Sequence, residues 1–287
     1  METNKHIYMP DRFINSNKSD YGKLSVIGGS VGMSGAVCLS SMAALKTGAG
    51  LVTAYVPASI NPYFECNVIE AMSVPVPDHN GMFFSESENI LINAVKNSDV
   101  TAIGMGMGRN ADCVKILSRI LKEVKSPLII DADALFALQD IIDLISVCSS
   151  EIILTPHEME FSRISGYTVD YIRKNRLDTA IEFAEKHNVT VVLKGHNTVV
   201  TNGKDTYVND TGNNGMSTPG SGDVLSGVIS ALVAQKMNIF DAACTGVYLH
   251  GLSGDIAAKK LNVYSITASD ILENIPYAIN CLTNKGE

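Results

Sequence analysis

Residues 101–139 read TAIGMGMGRNADCVKILSRILKEVKSPLIIDADALFALQ. Two short apolar runs, TAIGMG and PLIID, flank a segment from Ala111 to Val124 whose apolar residues recur with the period of an amphipathic helix. A further helical segment, Ala134 to Gln139, follows the second run. Strand, helix and strand in this order predict parallel strands, because the chain must cross back over the sheet between them. Glycines and acids follow the two runs, so polar turns are expected where the strands end.

The same alternation runs through most of the 287 residues. KLSVIG precedes a helical segment from Ser34 to Lys46, and EIILTP precedes a long one from Thr168 to His187, which leads into the strand VTVVLKG. Asn202 and Gly203 separate two extended runs and predict a β-hairpin. From Ser221 onward the pattern is helical. The sequence therefore predicts an α/β fold, a mainly parallel central sheet between helices, as a single domain over residues 1–287.

Composition excludes several classes of function. Apolar residues make up 46% of the chain and charged residues 18%, which is enough for one sizeable core and typical of a folded protein. A net charge of -8 argues against binding to nucleic acid or to an anionic membrane. The six cysteines lack the close spacing of zinc or redox sites, and we predict reduced thiols in the core. Small molecules are the expected partners.

No targeting or membrane segment is predicted. Residues 1–20 are polar and lack the apolar centre of a secretory signal. The apolar run from Gly35 to Val56 contains Lys46 and several glycines, which makes it a poor bilayer span. We expect the protein in the cytoplasm.

One segment, NNGMSTPGSGDVLSGVISALVAQ at residues 213–235, joins a glycine-rich turn to a helix near Asp223. The first amides of a helix are unpaired and carry partial positive charge, so such a turn can hold a phosphate or an oxyanion. An acid in the same turn can accept a proton from an attacking hydroxyl. The alternative is that Asp223 only caps the helix, a frequent role for aspartate.

Other turns offer further candidate groups. GGSVGMSG at residues 28–35 fits neither the dinucleotide fingerprint nor the P-loop, and a plain turn capped by Ser34 is the alternative. The glycines of residues 104–108 would let the backbone approach a ligand. Ligands of open α/β sheets bind outside the carboxyl ends of the strands, so we expect these turns to line one crevice.

Charged residues in three more turns are candidates as well. In TPHEME, His157 and Glu160 share a helical face, where the carboxylate could orient hydrated Mg²⁺; a helix cap with a surface acid is the alternative. In DADAL, Asp131 and Asp133 lie on opposite sides of a strand, so at most one can face a site. In KGHNT, Lys194 is a nucleotide contact or a solvated lysine.

In their order along the chain, these motifs resemble those of the NAD(P)H-hydrate dehydratases, repair enzymes of the ribokinase-like superfamily. The resemblance covers about residues 23–259 and rests on GGSVGMSGAVCLSSMAALKTGAGLVT, DADAL, LTPHEMEFSRI, VVLKGHNTVV and TGNNGMSTPGSGDVLSG. It implies a three-layer ribokinase-like fold. The implied reaction removes water from the S-epimer of C6-hydrated NADH or NADPH, with phosphorylation of the ring hydroxyl followed by loss of phosphate, and converts ADP to AMP and phosphate.

The resemblance also implies roles for particular residues. Asp223 would be the base that deprotonates the hydroxyl, and Glu160 would organise Mg²⁺ through water. The residues implied to bind the nucleotide are Lys194, Gly195, His196, Asn197, Thr198 and Gly222. Those implied to contact the hydrated dinucleotide are Ala36, Gly106, His157 and Asp223.

Two positions depart from the family pattern. Pro219 stands where a glycine is usual and removes an N–H from the turn, and Met159 also replaces a glycine. The family further implies a homotetramer and ADP, with ATP the alternative co-substrate. The chain lacks the epimerase domain fused to some members, so a separate epimerase is expected. Two other functions stay open, a kinase of the same superfamily acting on a vitamin precursor or another small hydroxyl compound, and a non-catalytic nucleotide-sensing module.

Overall fold

The computed structural model describes residues 5–283, and a nine-stranded sheet lies at its centre. The strands are β1 (Lys23–Ile27), β2 (Leu51–Pro57), β3 (Met72–Val76), β4 (Asp78–His79), β5 (Met82–Phe83), β6 (Val100–Ile103), β7 (Leu128–Ile130), β8 (Ile152–Leu154), β9 (Thr190–Leu193), β10 (Val199–Thr201) and β11 (Thr206–Val208). Across the sheet the order is β11-β10-β9-β8-β7-β6-β1-β2-β3, and β4 and β5 form a separate ribbon. From β9 to β3 every neighbouring pair is parallel.

Helices connect the parallel strands and complete the last third of the described chain. The α-helices are α1 (Ser34–Thr47), α2 (Asn61–Asn67), α3 (Glu88–Lys96), α4 (Ala111–Glu123), α5 (Asp133–Leu138), α6 (Glu158–Ser165), α7 (Val169–Lys174), α8 (Arg176–His187), α9 (Ser221–Ala234), α10 (Ile239–Lys260) and α11 (Ala268–Thr283). Short 3₁₀ helices span Lys18–Tyr21, Ala58–Ile60, Ser85–Ser87, Gln139–Val147 and Asn214–Met216.

Both faces of the sheet are covered. Along β7, Ile129 contributes to the core beneath α1, α9, α10 and α11, while Leu128 and Ile130 contribute to the core beneath α4, α5, α6 and α8. All three side chains are completely buried. Alternate residues of a strand point to opposite faces, so a strand that is apolar throughout requires a helical layer on each side. The predicted three-layer α/β architecture is confirmed.

The predicted hairpin is present at one edge of the sheet. β10 pairs antiparallel with both β9 and β11, and Val200 lies opposite Tyr207. The turn spans residues 202–205, with the amide of Asn202 donating to the carbonyl of Asp205. This hairpin leads the chain into residues 209–214, which line the cavity described below.

The long helix predicted from Thr168 to His187 is wrong as a single element. Thr168 caps α7, and the chain leaves helical geometry at Asn175 before α8 begins. The Asn175 side chain donates to the carbonyl of Tyr171. Asparagine side chains compete in this way for backbone groups and so interrupt helices. Apolar periodicity continues across the break, so the sequence pattern predicts one helix where the structure has two.

The six cysteines lie within residues 5–283 and are free. Cys38, Cys113 and Cys244 are buried, as predicted, and Cys148 is half-buried. Cys66 and Cys281 are exposed, so their assignment to the core is wrong. The reason for Cys66 is that α2 turns Phe64, not the cysteine, toward the sheet.

Of the N-terminal segment, residues 1–4 lie outside the described part, as do residues 284–287 at the other end. His6 contacts Asp241 at 2.6 Å, and the Arg12 guanidinium donates to the carbonyl of Gly48. The segment is therefore tied to α10 and to the end of α1. Within residues 5–283, no helix has the length and apolar character needed to cross a bilayer.

Candidate active site

A cavity of about 870 Å³ opens where β7, β8 and β9 end and α9 begins. Its wall consists of Asp131, Ala132, His157, residues 194–198, 209–214, 216–218 and 220–223, and Leu225, Val247, His250 and Gly251. Asp131 follows β7, His157 follows β8 and Lys194 follows β9. The Lys194 amide donates to the carbonyl of Pro156 at 2.8 Å, which extends the parallel pairing of β8 and β9 into the site. Polar turns of three neighbouring strands thus meet at one edge.

The glycine-rich turn forms the start of α9. The helix begins at Ser221, and Gly220 precedes it with φ 88°, a conformation that favours glycine. The Ser221 amide donates to the carbonyl of Thr218. Within residues 5–283, the amides of Gly222 and Asp223 have no acceptor in hydrogen-bonding geometry. The turn therefore offers free amides and the positive end of a helix dipole to an anion.

Asp223 lies in the first turn of α9 and makes no capping hydrogen bond to any residue in 5–283. The interpretation that it only caps the helix is therefore wrong. Burial, together with the neighbouring Asp131 carboxylate, raises the pKa of its carboxyl to about 7, against the opposing charge of Lys194. A carboxylate with such a pKa is a stronger base than an exposed aspartate, and about half of it is ionised at pH 7.

Lys194 is not a solvated lysine. Its ammonium lies 2.8 Å from Asp131 Oδ1 and 3.8 Å from Glu160 Oε2, and its side chain is 19% exposed. Burial alone would lower the pKa of Lys194, but Asp131 and Glu160 outweigh burial and raise it, so the ammonium stays charged. A side chain at Gly222 would begin 3.2 Å from this ammonium. The glycine therefore lets the cation approach the free amides of α9.

Asp131 and Asp133 have different tasks. Asp131 lies in the cavity wall, where it also accepts a hydrogen bond from the Ser226 hydroxyl at 2.5 Å. Asp133 accepts from the Gly108 amide at 2.9 Å and from Arg109 Nε at 2.7 Å. Of the two, only Asp131 lines the cavity, as expected, but the predicted reason is wrong. Both acids lie beyond the end of β7, separated by a turn at Ala132 with φ 50°.

His157 and Glu160 cap α6 together. His157 Nδ1 accepts from the amides of Met159 and Glu160, and Glu160 Oε2 accepts from the His157 amide at 2.8 Å. Glu160 is 7% exposed, so the alternative of a surface acid is wrong. Burial raises the pKa of Glu160, and burial with the charge of Lys194 lowers the pKa of His157. A neutral imidazole is thus presented to the cavity.

The segment implied to bind a nucleotide is a tight loop after β9. Gly195, His196 and Asn197 are exposed, and the Thr198 hydroxyl donates to the Gly195 carbonyl at 3.0 Å. All of residues 194–198 line the cavity. Arg176, at the start of α8, donates to the carbonyls of Leu193 and Lys194 at 2.6 Å each, which fixes the end of β9.

Ala36 and Gly106 lie together but outside the wall of the cavity. A side chain at Gly106 would begin 3.0 Å from the Ala36 methyl group, so the turn after β6 packs closely on α1. The Ser30 hydroxyl donates to the Gly106 carbonyl at 2.9 Å, which joins GGSVGMSG to the same place. Ser34 is the first residue of α1 and not its cap, which is Met33.

Two site residues on α10 were missed from the sequence. His250 lines the cavity, its Nε2 lies 3.2 Å from the Ser221 hydroxyl, and burial lowers its pKa to about 4. Asp255 accepts from the Gly212 amide at 2.8 Å and from the Asn213 side chain at 2.9 Å. The available signal was the presence of these two polar side chains in an otherwise small and apolar helical run, TGVYLHGLSGDIAA.

Comparison with known proteins places this geometry in a family. The family model described as NAD(P)H-hydrate dehydratase matches residues 24–277. The chain belongs to this family. This NAD(P)H-hydrate dehydratase family member is 36% identical over 282 residues to the bifunctional NAD(P)H-hydrate repair enzyme Nnr of Moorella thermoacetica, covering 97% of the chain and 53% of that protein. It is 36% identical over 253 residues to the ADP-dependent (S)-NAD(P)H-hydrate dehydratase of Neisseria meningitidis, covering 86% and 81%.

The chain spans about half the length of the bifunctional relatives it matches. Among solved structures, a ribokinase-like superfamily protein of Enterococcus faecalis aligns with a TM-score of 0.84 at 29% identity over 98% of each chain. The ADP/ATP-dependent NAD(P)H-hydrate dehydratase of Bacillus subtilis, co-crystallized with ATP/Mg²⁺, aligns with a TM-score of 0.81 at 24% identity over 96% and 95%. The ribokinase-like fold is confirmed.

The two departures from the family pattern lie outside the cavity wall. Pro219 is exposed in the turn before Gly220, and Met159 is 51% exposed on the first turn of α6. Met159 has helical backbone angles that any residue adopts, so no glycine is needed there. Pro219 lacks an N–H, so the free amides of this family member begin after it.

Proposed function

We propose that the chain is an ADP-dependent (S)-NAD(P)H-hydrate dehydratase, which restores NADH or NADPH from their C6 hydrates. The observation that carries the proposal is the position of Asp223. Its carboxyl, with a pKa of about 7, lies in the first turn of α9 beside free amides and the ammonium of Lys194. The name of the Neisseria meningitidis relative supports ADP as the co-substrate, with ATP the alternative.

The cavity suits a nucleotide whose terminal phosphate lies at the start of α9. The amides of Gly222 and Asp223 would donate to phosphate oxygens, and Lys194 would neutralise part of their charge. The loop of residues 194–198 and the segment 209–214 would then surround the rest of the nucleotide. Ala36, Gly106 and His157 would contact the hydrated dinucleotide on the side of the glycine turn after β6.

The reaction would proceed in two steps. Asp223 accepts the proton of the C6 hydroxyl while that oxygen attacks the terminal phosphorus of ADP, and the bond from phosphorus to the AMP oxygen breaks. The carbon–oxygen bond of the resulting phosphate ester then breaks, helped by the lone pair of the ring nitrogen, and a proton leaves C5. The products are NADH or NADPH, AMP and phosphate, and the proton on Asp223 passes to solvent.

Magnesium, when bound with the nucleotide, supplies positive charge that neutralises the phosphates. Among residues 5–283 there is no group of three or more His, Cys, Asp or Glu that could hold a metal ion. Magnesium keeps several waters and needs only one or two carboxylates together with phosphate oxygens. Asp131, in the cavity wall, and Glu160, buried 3.8 Å from Lys194 but outside that wall, are the carboxylates that could orient such a hydrated ion.

The surroundings of the enzyme are also part of the proposal. We expect a cytoplasmic homotetramer whose activity is coupled to that of an NAD(P)H-hydrate epimerase. The name of the bifunctional relatives, which are about twice as long as this chain, supports coupling to a second repair activity. Light scattering after gel filtration tests the assembly, and a monomer at micromolar concentration would contradict it.

A spectroscopic assay tests the function. The protein is incubated with hydrated NADH, Mg²⁺ and either ADP or ATP, and recovery of the reduced-nicotinamide absorbance is followed together with AMP and phosphate release. We expect recovery that requires nucleotide and is lost in Asp223→Asn. Nucleotide consumption with a stable phosphorylated product would instead identify a kinase. Nucleotide binding without turnover would identify a sensor.

A further inference from the structure

Two guanidinium groups share one phenylalanine ring on α5, the helix that follows β7. Arg109 lies 4.8 Å and Arg163 5.7 Å from the centroid of the Phe136 ring, and Phe136 is 37% exposed. Arg109 belongs to the turn after β6, Phe136 to α5 and Arg163 to α6. We refer to these three residues as the arginine cluster. Stacking on an aromatic face holds a guanidinium flat and limits its motion.

The positive charge of the arginine cluster is only partly neutralised. Arg109 pairs with Asp133 at 2.7 Å, but half of its side chain is exposed. Arg163 is exposed, and no carboxylate within residues 5–283 lies within ion-pair distance of it. The bidentate donors of arginine match the geometry of phosphate.

The arginine cluster borders the side of the site where the dinucleotide is expected. Arg109 comes directly after the glycine turn of residues 104–108, which packs on Ala36. Arg163 lies three residues after Glu160, so the two share a face of α6. The same helix carries His157, which lines the cavity, immediately before its first residue.

We propose that the arginine cluster binds a phosphate group of the dinucleotide substrate, with Arg163 as the specificity-determining contact. This inference rests on the proposed function and extends it. A nicotinamide dinucleotide carries a diphosphate, and the phosphorylated form carries a further phosphate on its adenosine ribose. The phosphates of ADP have separate donors in the start of α9 and Lys194, so the arginine cluster is free for the second ligand.

Binding titrations test this proposal without requiring turnover. NADH and NADPH are the probes, and their fluorescence is followed as protein is added for wild type, Arg163→Gln and Lys122→Gln. Because a charge-assisted contact to phosphate is lost, we expect Arg163→Gln to weaken binding by about tenfold or more. Lys122, an exposed cation on α4, is the matched control, and its variant should bind within about twofold of wild type.

The two probes separate the two phosphates. If Arg163→Gln binds only NADPH more weakly, Arg163 contacts the ribose phosphate. If it binds both dinucleotides equally more weakly, Arg163 contacts the diphosphate. Arg163→Lys keeps the charge without the planar donors and should recover part of the affinity. Unchanged binding of both dinucleotides by Arg163→Gln would overturn the proposal, as would a wild-type protein that binds neither.

Measurements of ADP affinity and of turnover distinguish a failure of this proposal from a failure of the proposed function. Arg163→Gln should bind ADP as wild type does and should retain the melting temperature, because the side chain is exposed. A wild-type protein that binds NADPH through Arg163 but does not dehydrate its hydrate would contradict the proposed reaction and leave the phosphate contact standing. If Arg163→Gln and wild type turn over at the same rate at low dinucleotide concentration, only the phosphate contact is contradicted.

Discussion

Asp223 couples the chemistry of the site to the stability of the fold. Burial, with the charge of Asp131, raises its pKa to about 7 in the folded chain, above the 3.8 of an ordinary aspartate. The neutral carboxyl therefore stabilises the fold fully below about pH 4, and this contribution is lost as the pH rises through 7. At neutral and alkaline pH the ionised carboxylate is a cost to the fold that function requires.

Asp223→Asn should therefore make the protein more stable at the pH values where the wild-type carboxylate is ionised and active. We predict a rise in the unfolding free energy on the order of 2–4 kcal/mol at pH 8, shrinking toward zero at pH 4. Urea unfolding at both values measures it. Asp178 occupies the same helix position in α8 but is exposed, so Asp178→Asn is the matched control. If Asp223→Asn is less stable than wild type at pH 8, the ionised Asp223 carboxylate does not destabilise the fold.

Lys194 holds two buried carboxylates in the site. Lys194→Met leaves Asp131 and Glu160 without their cation, and we predict a loss of about 3–5 kcal/mol in unfolding free energy. The exposed control Lys122→Met should stay within about 0.5 kcal/mol. Asp131→Asn added to Lys194→Met should restore part of the loss. Equal stability of Lys194→Met and wild type would refute a structural role for the ion pair.

At the scale of single residues, the sequence identified groups that lie in recognisable turns. Lys194, His157 and Asp223 all line the cavity. The sequence did not show which of these residues contact each other or their neighbours. The contact of Lys194 with Asp131, for example, joins residues 63 positions apart. Whether an acid is a cap, a base or a surface charge depends on such contacts. His250 and Asp255 had no motif of their own and were found only in three dimensions.

Among the elements, α10 shapes the cavity through Asp255. Its two carboxylate oxygens hold the Gly212 amide and the Asn213 side chain, and residues 209–214 form one wall of the site. We predict that Asp255→Asn raises KM for the nucleotide about three- to tenfold and changes kcat little, because a charged acceptor is replaced and the loop is loosened.

The matched control for Asp255 is Glu273→Gln, which removes an exposed charge from the neighbouring helix α11. It should leave KM unchanged. Steady-state kinetics with varied ADP measures both variants. If Asp255→Asn lowers only the melting temperature and leaves KM as in wild type, Asp255 serves the fold and not the nucleotide loop.

Strands and strand ends were predictable because apolar runs, and the glycine or proline residues that end them, are local signals. The hairpin at residues 199–208 was predictable for the same reason. The break at Asn175 was not, although it has a consequence for the site. It starts a new helix at Arg176, whose guanidinium fixes the end of β9. A side chain that bonds its own backbone overrides apolar periodicity there.

For the whole molecule, the parallel character of the sheet followed from the alternation of strands and helices. The order of its strands did not, because β1 lies between β6 and β2 and only the crossover geometry determines that. We propose, as predicted, that residues 1–287 form one domain. A single cooperative unfolding transition by circular dichroism and by fluorescence of a bound nucleotide analogue would support it. Separate transitions would contradict it.

The two-sided core makes a sharper prediction. Ile129 and Ile130 are adjacent, completely buried and packed on opposite faces of the sheet. Ile129→Ala and Ile130→Ala should each lower the unfolding free energy by about 2–5 kcal/mol. Ile69, which is 81% exposed, is the control, and Ile69→Ala should cost less than about 0.5 kcal/mol. A negligible effect of either core variant would mean that one face of β7 is not covered.

The central claim is that the Asp223 carboxylate is the base of a nucleotide-dependent dehydration. The most direct test is the pH dependence of kcat for recovery of NADH from its hydrate with ADP, from pH 5 to pH 9. Because the base must be ionised, kcat should rise with pH through about 7 and level off above it, and Asp223→Asn should bind ADP but show no recovery. A pH-independent kcat, or recovery that survives in Asp223→Asn, would contradict the account.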